Sequence, residues 1–377
     1  MAQSPTTGLI PSARELAREI LVNGPVTRSA LGRRLQLSPS SLTRLARMLT
    51  DAGFVVEGAE IGDRALGRPV RPLDVRLDLG VVVGVKLTGD AVTVVATDLR
   101  AKVLRQAVQP ITDREPSVVV ALVRRVVGEV AEGERLLAIG VGLGGVVDAD
   151  GVVVRAPYLG WSGVALRDLL DVDDGTLVVI ENDLLALTRA VHWFGAGRGL
   201  RDFALVTVGA GVGYGLVLDD RVVSRPDSGV GLAGHIPLDP AGPACELGHR
   251  GCSSAMLTIG GITGEVGRRL GRAVGYTEAL ALARDGDADA AHVVVASGAA
   301  LGRLLALVAN LTSVTEIVVS GEGVALLDAA GPAVRTALDR DRDPLASPVQ
   351  LTVDRAGFDE WARAAAASAI QSLVLGA

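Results

Sequence analysis

Residues 25–70 limit what this chain can fold into more than any other stretch: two short amphipathic segments around a tight break, then a small hairpin. The run 26–35 has the spacing of a short amphipathic helix. After Leu37, Ser38-Pro39 is a helix start, with a Ser at the N-cap and a Pro at the first helical position. A second helix is predicted from about residue 39 to residue 52. Leu42, Leu45 and Leu49 share one face of it, leaving Ser40, Ser41, Thr43, Arg44 and Arg47 on the others. Gly53 is its stop. Phe54-Val55-Val56 and the stretch up to Gly67-Arg68-Pro69-Val70 supply a two-stranded wing. A winged helix-turn-helix of this kind suits the DNA major groove, with the start of its second helix against base edges. The expected DNA contacts are Arg28, Ser40, Ser41, Thr43 and Arg44, with Arg68 in the wing. The plainer alternative is a three-helix bundle with no ligand.

Charge favours DNA. Residues 1–77 hold 11 Arg against seven acidic residues, a net of +4. The whole chain is −6, from 37 basic and 43 acidic residues, so residues 78–377 carry −10. A basic module on an acidic body fits phosphate-backbone binding by the module alone.

A length of 377 residues allows two or three domains. The chain is 49% hydrophobic but only 3% aromatic, so its core is built from Val, Leu and Ala. No apolar run reaches the ~20 uncharged residues of a membrane span. The N-terminus, with Pro5, Arg14 and Glu15, lacks the apolar centre of a signal peptide. A cytoplasmic protein with no membrane partner is expected. Its two cysteines, Cys245 and Cys252, fit ligand binding or inert burial better than a disulfide.

Beyond Pro72 the pattern becomes α/β. Strands are predicted at 81–85 and 91–98, a helix at 117–132, and buried strands at 136–143 and 177–180. The last of these runs into Glu181-Asn182-Asp183 and a helix to about residue 192. A second series follows: a strand at 203–208, the turn Gly209-Ala210-Gly211-Val212-Gly213, a returning strand at 216–218, a helix at 293–312, a strand at 316–319 and a last helix at 358–375. The repeated order of hairpin, helix and strand implies two similar lobes with a ligand cleft between them.

Several motifs, in order along residues 14–375, resemble the ROK family of repressors, open reading frames and sugar kinases, in its winged-helix repressor branch. They are Gly67-Arg68-Pro69, Glu181-Asn182-Asp183, Trp193-Phe194-Gly195-Ala196-Gly197-Arg198-Gly199, Gly234-His235-Ile236-Pro237-Leu238-Asp239-Pro240, and Cys245 with Gly248, Gly251 and Cys252. The resemblance implies a winged helix-turn-helix over 1–77 followed by a two-lobed, actin-like sugar-kinase fold. Lobe one would span 78–185, completed by the C-terminal helix at 357–377; lobe two would span 186–356, with a sugar and zinc loop at 229–255.

Departures from the family pattern bear on chemistry. Where the kinases carry Asp-x-Gly-Gly-Thr, this chain has Lys86-Leu87-Thr88-Gly89-Asp90, and a Lys cannot hold the Mg²⁺ that phosphoryl transfer needs. Gly209, Gly211 and Gly213 persist as a phosphate-loop remnant, but Ala210 replaces a Thr, and Glu322 stands among the glycines of the adenosine-side loop. No ATP or magnesium is therefore expected. Asp183 matches the kinases' general base, and Asn182, Asp183 and His235 match ligand-binding positions; an Asn-Asp pair at 182–183 also serves as a plain helix cap. Two family carboxylates are replaced by Leu232 and Ser254, which implies either a more apolar ligand or lost sensing. Zinc in the family uses one His and three Cys; the matching positions are His235, Cys245, Leu247 and Cys252, with His249 a substitute for Leu247. The expected protein is a dimeric transcriptional regulator, most simply a repressor, that binds operator DNA and a sugar-like effector. The rivals are a sugar kinase acting on a hexose or amino sugar with ATP, and a DNA-binding protein without an effector.

Overall fold

The computed structural model describes residues 8–62, 69–170, 176–355, 357 and 359–376. Arg68 and Gly67 of the expected wing lie outside these residues. The chain divides into two compact units, Met1–Phe194 with Trp361–Ala377, and Gly195–Glu360.

The first unit opens with three helices, α1 (Pro11–Asn23), α2 (Arg28–Arg34) and α3 (Pro39–Asp51). Each start is locally determined. The Thr27 hydroxyl accepts the Ala30 N–H (3.3 Å) and the Ser38 hydroxyl accepts the Ser41 N–H (3.2 Å), so α2 and α3 carry side-chain N-caps. Leu16, Ile20 and Leu21 of α1 are buried, as are Leu31 of α2 and Leu42, Leu45 and Leu49 of α3. The wing differs from expectation in its pairing. β1 (Val55–Glu57) pairs antiparallel with β4 (Leu73–Val75), while β2 (Ile61–Gly62) pairs with β3 (Pro69–Val70) farther out. Leu73 and Val75 both point inward, and that alternation makes β4 the inner partner.

A five-stranded sheet follows in the order β12-β8-β5-β6-β7. Its strands are β5 (Val81–Leu87), β6 (Ala91–Thr97), β7 (Val103–Pro110), β8 (Leu136–Leu143) and β12 (Leu177–Asn182). β5, β6 and β7 form an antiparallel meander; β8 and β12 run parallel to β5. The helix α4 (Pro116–Ala131) buries Val119, Val123, Val126 and Val130 in the core cluster that includes this sheet. Short strands β9 (Val146–Val147), β10 (Val153–Ala156) and β11 (Trp161–Val164) and the turn-like α5 (Leu166–Leu169) lead to β12, and α6 (Asp183–Phe194) leaves its end. The C-terminal helix, Asp359–Leu375, lies directly on the sheet. A methyl carbon at Gly84 would sit 2.0 Å from the Ala362 carbonyl oxygen, and one at Gly140 1.9 Å from that of Ala365. Glycine on the strands and alanine on the helix thus set a separation that no larger side chain fits.

The helix-turn-helix is tied to this lobe by a few polar contacts. The Arg100 guanidinium bonds Asp74 of β4 and the Leu21 carbonyl at the end of α1, and Arg14 bonds the Leu375 carbonyl (2.6 Å). Arg18 of α1 lies over the Trp193 ring, 5.5 Å from its centroid.

The second unit repeats the sheet. β13 (Phe203–Val208), β14 (Val212–Leu218) and β15 (Arg221–Val222) form the meander, and β16 (Glu316–Ser320) and β17 (Gln350–Val353) continue parallel to β13, in the order β15-β14-β13-β16-β17. The two sheets share one topology, so the duplication read in the sequence is a duplication of fold. Helices α7 (Ser253–Leu257), α8 (Ile259–Leu270), α9 (Tyr276–Arg284), α10 (Ala288–Thr312) and α11 (Leu326–Arg340) complete the unit. By length and composition α10 could cross a membrane, but Val293, Leu301, Leu304 and Leu305 bury it in the core.

Candidate functional site

On α3 the residues outside the leucine face are presented to solvent. Ser40, Thr43, Arg44 and Arg47 are exposed and Ser41 is half-buried. Their spacing of three, four and seven places Ser40, Thr43, Arg44 and Arg47 on one side of the helix. Thr43 donates to the Pro39 carbonyl (2.8 Å), and Arg47 pairs with Asp51 at 3.5 Å. Among the described residues, Arg44 reaches Met48 Sδ, at 3.9 Å. Arg28 is held by Glu57 of β1 at 2.5 Å, and that guanidinium lowers the Glu57 carboxyl below its usual range. The pair links the start of α2 to the wing.

At the carboxyl ends of the parallel strands, Lys86, Asn182 and Asp183 come together in the first unit. Lys86 on β5 is 6% exposed; its ammonium donates to Asp183 Oδ2 and lies 5.1 Å from the centre of the Trp361 ring. Asp183 Oδ1 accepts the Leu184 N–H at 2.8 Å. Asn182 accepts from the N–H groups of Leu184 (3.0 Å) and Leu185 (3.2 Å), and donates to the Gly145 carbonyl (2.9 Å). Both residues cap α6. Glu181 pairs with Arg189 (3.0 Å) and accepts from Ser368 (2.7 Å), tying β12 and α6 to the C-terminal helix. The turn after Lys86 is closed by its own side chains, with the Thr88 hydroxyl donating to Asp90 at 2.7 Å.

His235 belongs to the second unit, with the cysteines. Its Nδ1 lies 3.7 Å from Cys245 Sγ and 3.6 Å from Cys252 Sγ, and His249 Nδ1 lies 3.7 Å from Cys245 Sγ. The ligand atoms of His235, Cys245 and Cys252 all fall within 4.8 Å of one another. Leu247 is 71% exposed and points to solvent. Gly248 makes this arrangement possible: its φ of +85° closes the turn in which its N–H bonds the Cys245 carbonyl (2.8 Å), and the Cys245 N–H then bonds the His249 carbonyl (2.9 Å). Partial burial opposes ionisation of Cys245, but hydrogen bonds from the Leu247 and His249 backbone, from Cys252 and from the His249 ring outweigh it and lower its pKa to about 6. Burial, followed by the neighbouring Cys245, pushes the Cys252 thiol up.

Donor spacing tests the fit to zinc. Zn–S of ~2.3 Å and Zn–N of ~2.1 Å at a tetrahedral angle put sulfur and nitrogen about 3.6 Å apart. The three observed S···N separations, 3.6 to 3.7 Å, match that edge. His235, Cys245 and Cys252 supply three of the four donors that a closed structural site needs.

The other sugar-side positions are occupied locally. Ser254 donates to the Gly234 carbonyl at 2.6 Å, and Leu232 is 62% exposed. Gly209 and Gly211 lie in the turn between β13 and β14, in which the Gly209 N–H bonds the Gly211 carbonyl at 3.0 Å, and Gly213 lies on β14 opposite Thr207.

Comparison with known proteins gives a consistent picture. The model of the ROK family matches residues 82–360. The DNA-binding transcriptional repressor Mlc of Escherichia coli is 26% identical over 369 residues, covering 92% of this chain and 89% of its own length. The crystal structure of a ROK family transcriptional regulator, a homologue of E. coli Mlc, superposes with a TM-score of 0.82 at 24% identity over 97% of both chains. A ROK hexokinase from Thermus thermophilus superposes with a TM-score of 0.62 at 28% identity, covering 77% of this chain and 97% of its own, so the kinase-like part is what remains when the helix-turn-helix is set aside. With the family's model matched over most of its length and its twin-sheet fold in place, this chain belongs to the ROK family.

Proposed function

We propose that this protein is a cytoplasmic DNA-binding transcriptional regulator, most simply a repressor, whose kinase-like body senses a small molecule instead of phosphorylating it. The observation that carries the reading is the exposed face of α3, with Ser40, Thr43, Arg44 and Arg47 presented by a side-chain-capped helix next to a wing. Mlc, a repressor similar over nearly the whole chain, supports it. We assign 1–77 to operator binding, 78–185 with 357–377 to the first lobe and 186–356 to the second, and take the active form to be a homodimer on a two-fold symmetric site.

A sugar-type effector fits the family, and the family resemblance assigns Asn182 and Asp183 of the first unit and His235 of the second as positions for it. With Leu232 and Ser254 in place of carboxylates, and Asp183 shared with Lys86, the effector relies less on gripped hydroxyls than a free hexose does. His235, Cys245, Cys252 and His249 would hold a structural zinc, which on binding would cross-link the loop around residues 235–252. The kinase reading keeps two supports, the retained Asp183 and a hexokinase neighbour.

The decisive experiment selects DNA from a randomised pool with the full-length protein at ~0.15 M salt, where nonspecific binding is suppressed. Enrichment of a two-fold symmetric site supports the regulator. Equal retention of symmetric and scrambled DNA rejects it, and a coupled assay with ATP, magnesium and a hexose panel then tests the kinase.

A further inference from the structure

Two helices leave the Lys86–Asp183 pair, and both end on α1 of the helix-turn-helix. α6 begins with Asp183 itself and runs for 12 residues, about 18 Å at 1.5 Å per residue. Trp193 in its last turn is buried, and the Arg18 guanidinium lies 5.5 Å from the centre of that ring. The C-terminal helix, α12 (Asp359–Leu375), holds Trp361 in its first turn, with the Lys86 ammonium 5.1 Å from the ring centre. It runs for 17 residues, about 25 Å, and ends at Leu375, whose carbonyl accepts Arg14 at 2.6 Å. Gly376, at φ +69°, leaves room for that contact, since a methyl carbon there would collide with the Arg14 guanidinium. Arg14 and Arg18 stand one turn apart on the same side of α1.

The two helices are clamped to each other along their length. Gln371 of α12 donates to the Arg189 carbonyl of α6 at 2.9 Å, and Ser368 donates to Glu181, which also pairs with Arg189. α12 meets Gly84 and Gly140 with no space for a side chain, so a shift at its start is passed along and not absorbed. α1 in turn packs against α3.

Coupling between two sites needs an element with two arrangements that both sites bias. The Lys86–Asp183 pair supplies one. A ligand hydroxyl that bonds Asp183 Oδ2 competes with the ammonium for that oxygen. Opening the pair releases the start of α6 and the cation beside Trp361 together. We infer that α6 and α12 form a strut that carries the state of this pair to the DNA-binding module, with Arg14 and Arg18 as positioning residues at its far end. Under the regulator reading, on which this rests, the strut is the route by which an effector bound in the first unit reaches α3.

Hydrogen–deuterium exchange of the full-length protein tests it without an effector. Lys86→Met combined with Asp183→Asn opens the pair and strands no charge. This variant is expected to speed amide exchange in α1 by at least about threefold, while β5 and β8 exchange as in the parent. The reverse measurement leaves the pair intact: Arg14→Ala combined with Arg18→Ala should speed exchange of the Leu184 and Leu185 amides, at the start of α6, by a similar factor of about three. Arg14→Lys combined with Arg18→Lys keeps both cations and should return those amides to within about 1.5-fold of the parent. Parent-rate exchange in α1 of the opened variant overturns the inference, as does parent-rate exchange at Leu184 and Leu185 without the arginines. Exchange raised as much in β5 and β8 as in α1 also overturns it, because that is a general loss of stability. Selection from randomised DNA on the same samples is an independent readout: failure of the parent to enrich a symmetric site counts against the regulator and leaves the exchange result standing.

Discussion

The ammonium of Lys86 donates to Asp183 Oδ2, joining the middle strand of the first sheet to the residue that opens α6. The two side chains are 8% and 17% exposed, so little water screens them. The other oxygen of Asp183, Oδ1, takes the Leu184 N–H. A carboxylate that must abstract a proton from a sugar hydroxyl needs a lone pair aimed at that hydroxyl. In this chain each of its oxygens already accepts one hydrogen bond from the fold, and the Lys86 ammonium stabilises its charged form.

Stability should therefore depend on the pair as a unit. Asp183→Asn leaves a buried ammonium without its counter-charge and is expected to cost about 3–5 kcal/mol. Lys86→Met combined with Asp183→Asn removes both charges and should recover most of that loss. Urea unfolding of the two single variants and the double reads the coupling directly. Strict additivity would mean that the two groups do not interact.

No phosphorylation of a hexose or amino sugar is expected with ATP and magnesium, and Lys86→Asp alone should not create it. That substitution frees Asp183 but sets a second carboxylate beside it, and Ala210 and Glu322 remain in the second unit. A coupled assay with an Asp183→Asn control checks this. Turnover above the control on any sugar would restore the kinase reading.

Arg44 lies in the first half of α3, exposed, with a thioether contact to Met48. Arg44→Ala should relax sequence preference by roughly 1–3 kcal/mol at one base position while leaving nonspecific affinity nearly intact. Arg68→Ala, in the wing segment read from sequence, should weaken binding to all sequences alike. Selection from randomised DNA with each variant separates the two. An unchanged preference in Arg44→Ala would place the reading face elsewhere on the helix.

What was legible in the sequence was mostly local. Ser38-Pro39 announced α3 because a cap is made within four residues, and 203–218 announced the β13–β14 hairpin because the glycine turn and its apolar flanks are contiguous. The same sheet in the first unit was half legible. β7 alternates half-buried and exposed residues at the sheet edge, so its apolar signal is weak; in the second unit, α11 carries Pro332 inside it, which hides its helical pattern. The sequence suggests two strands in the wing where the structure has four, because only pairing with β1 makes Leu73 and Val75 the inner rung. Arg100 was not singled out at all: it bonds Asp74, 26 residues away, and nothing near Arg100 marks it as the anchor of the helix-turn-helix. Lys86 stood out as a departure from a family pattern, yet its partner lies 97 residues on, and only the parallel register of β5, β8 and β12 brings the two together.

The metal cluster supplies the last prediction. His249 stands two residues beyond Leu247, and the turn at Gly248 carries its Nδ1 to 3.7 Å from Cys245 Sγ while Leu247 faces solvent. If His249 is the fourth donor, purified protein should carry about one zinc per chain, as a closed four-ligand site does. His249→Ala should lower zinc affinity by at least about tenfold, in the range that loss of a ligand or its support produces. His249→Cys should retain the metal, because a thiolate can take the same corner. Leu247→Ala should change neither zinc content nor affinity. Atomic absorption after dialysis against a graded chelator series measures all four proteins. Equal zinc retention by His249→Ala and the parent would show that three donors from His235, Cys245 and Cys252 suffice. Absence of zinc from every sample, including protein refolded with the metal, would leave the cluster a hydrogen-bonded knot of thiols and imidazoles.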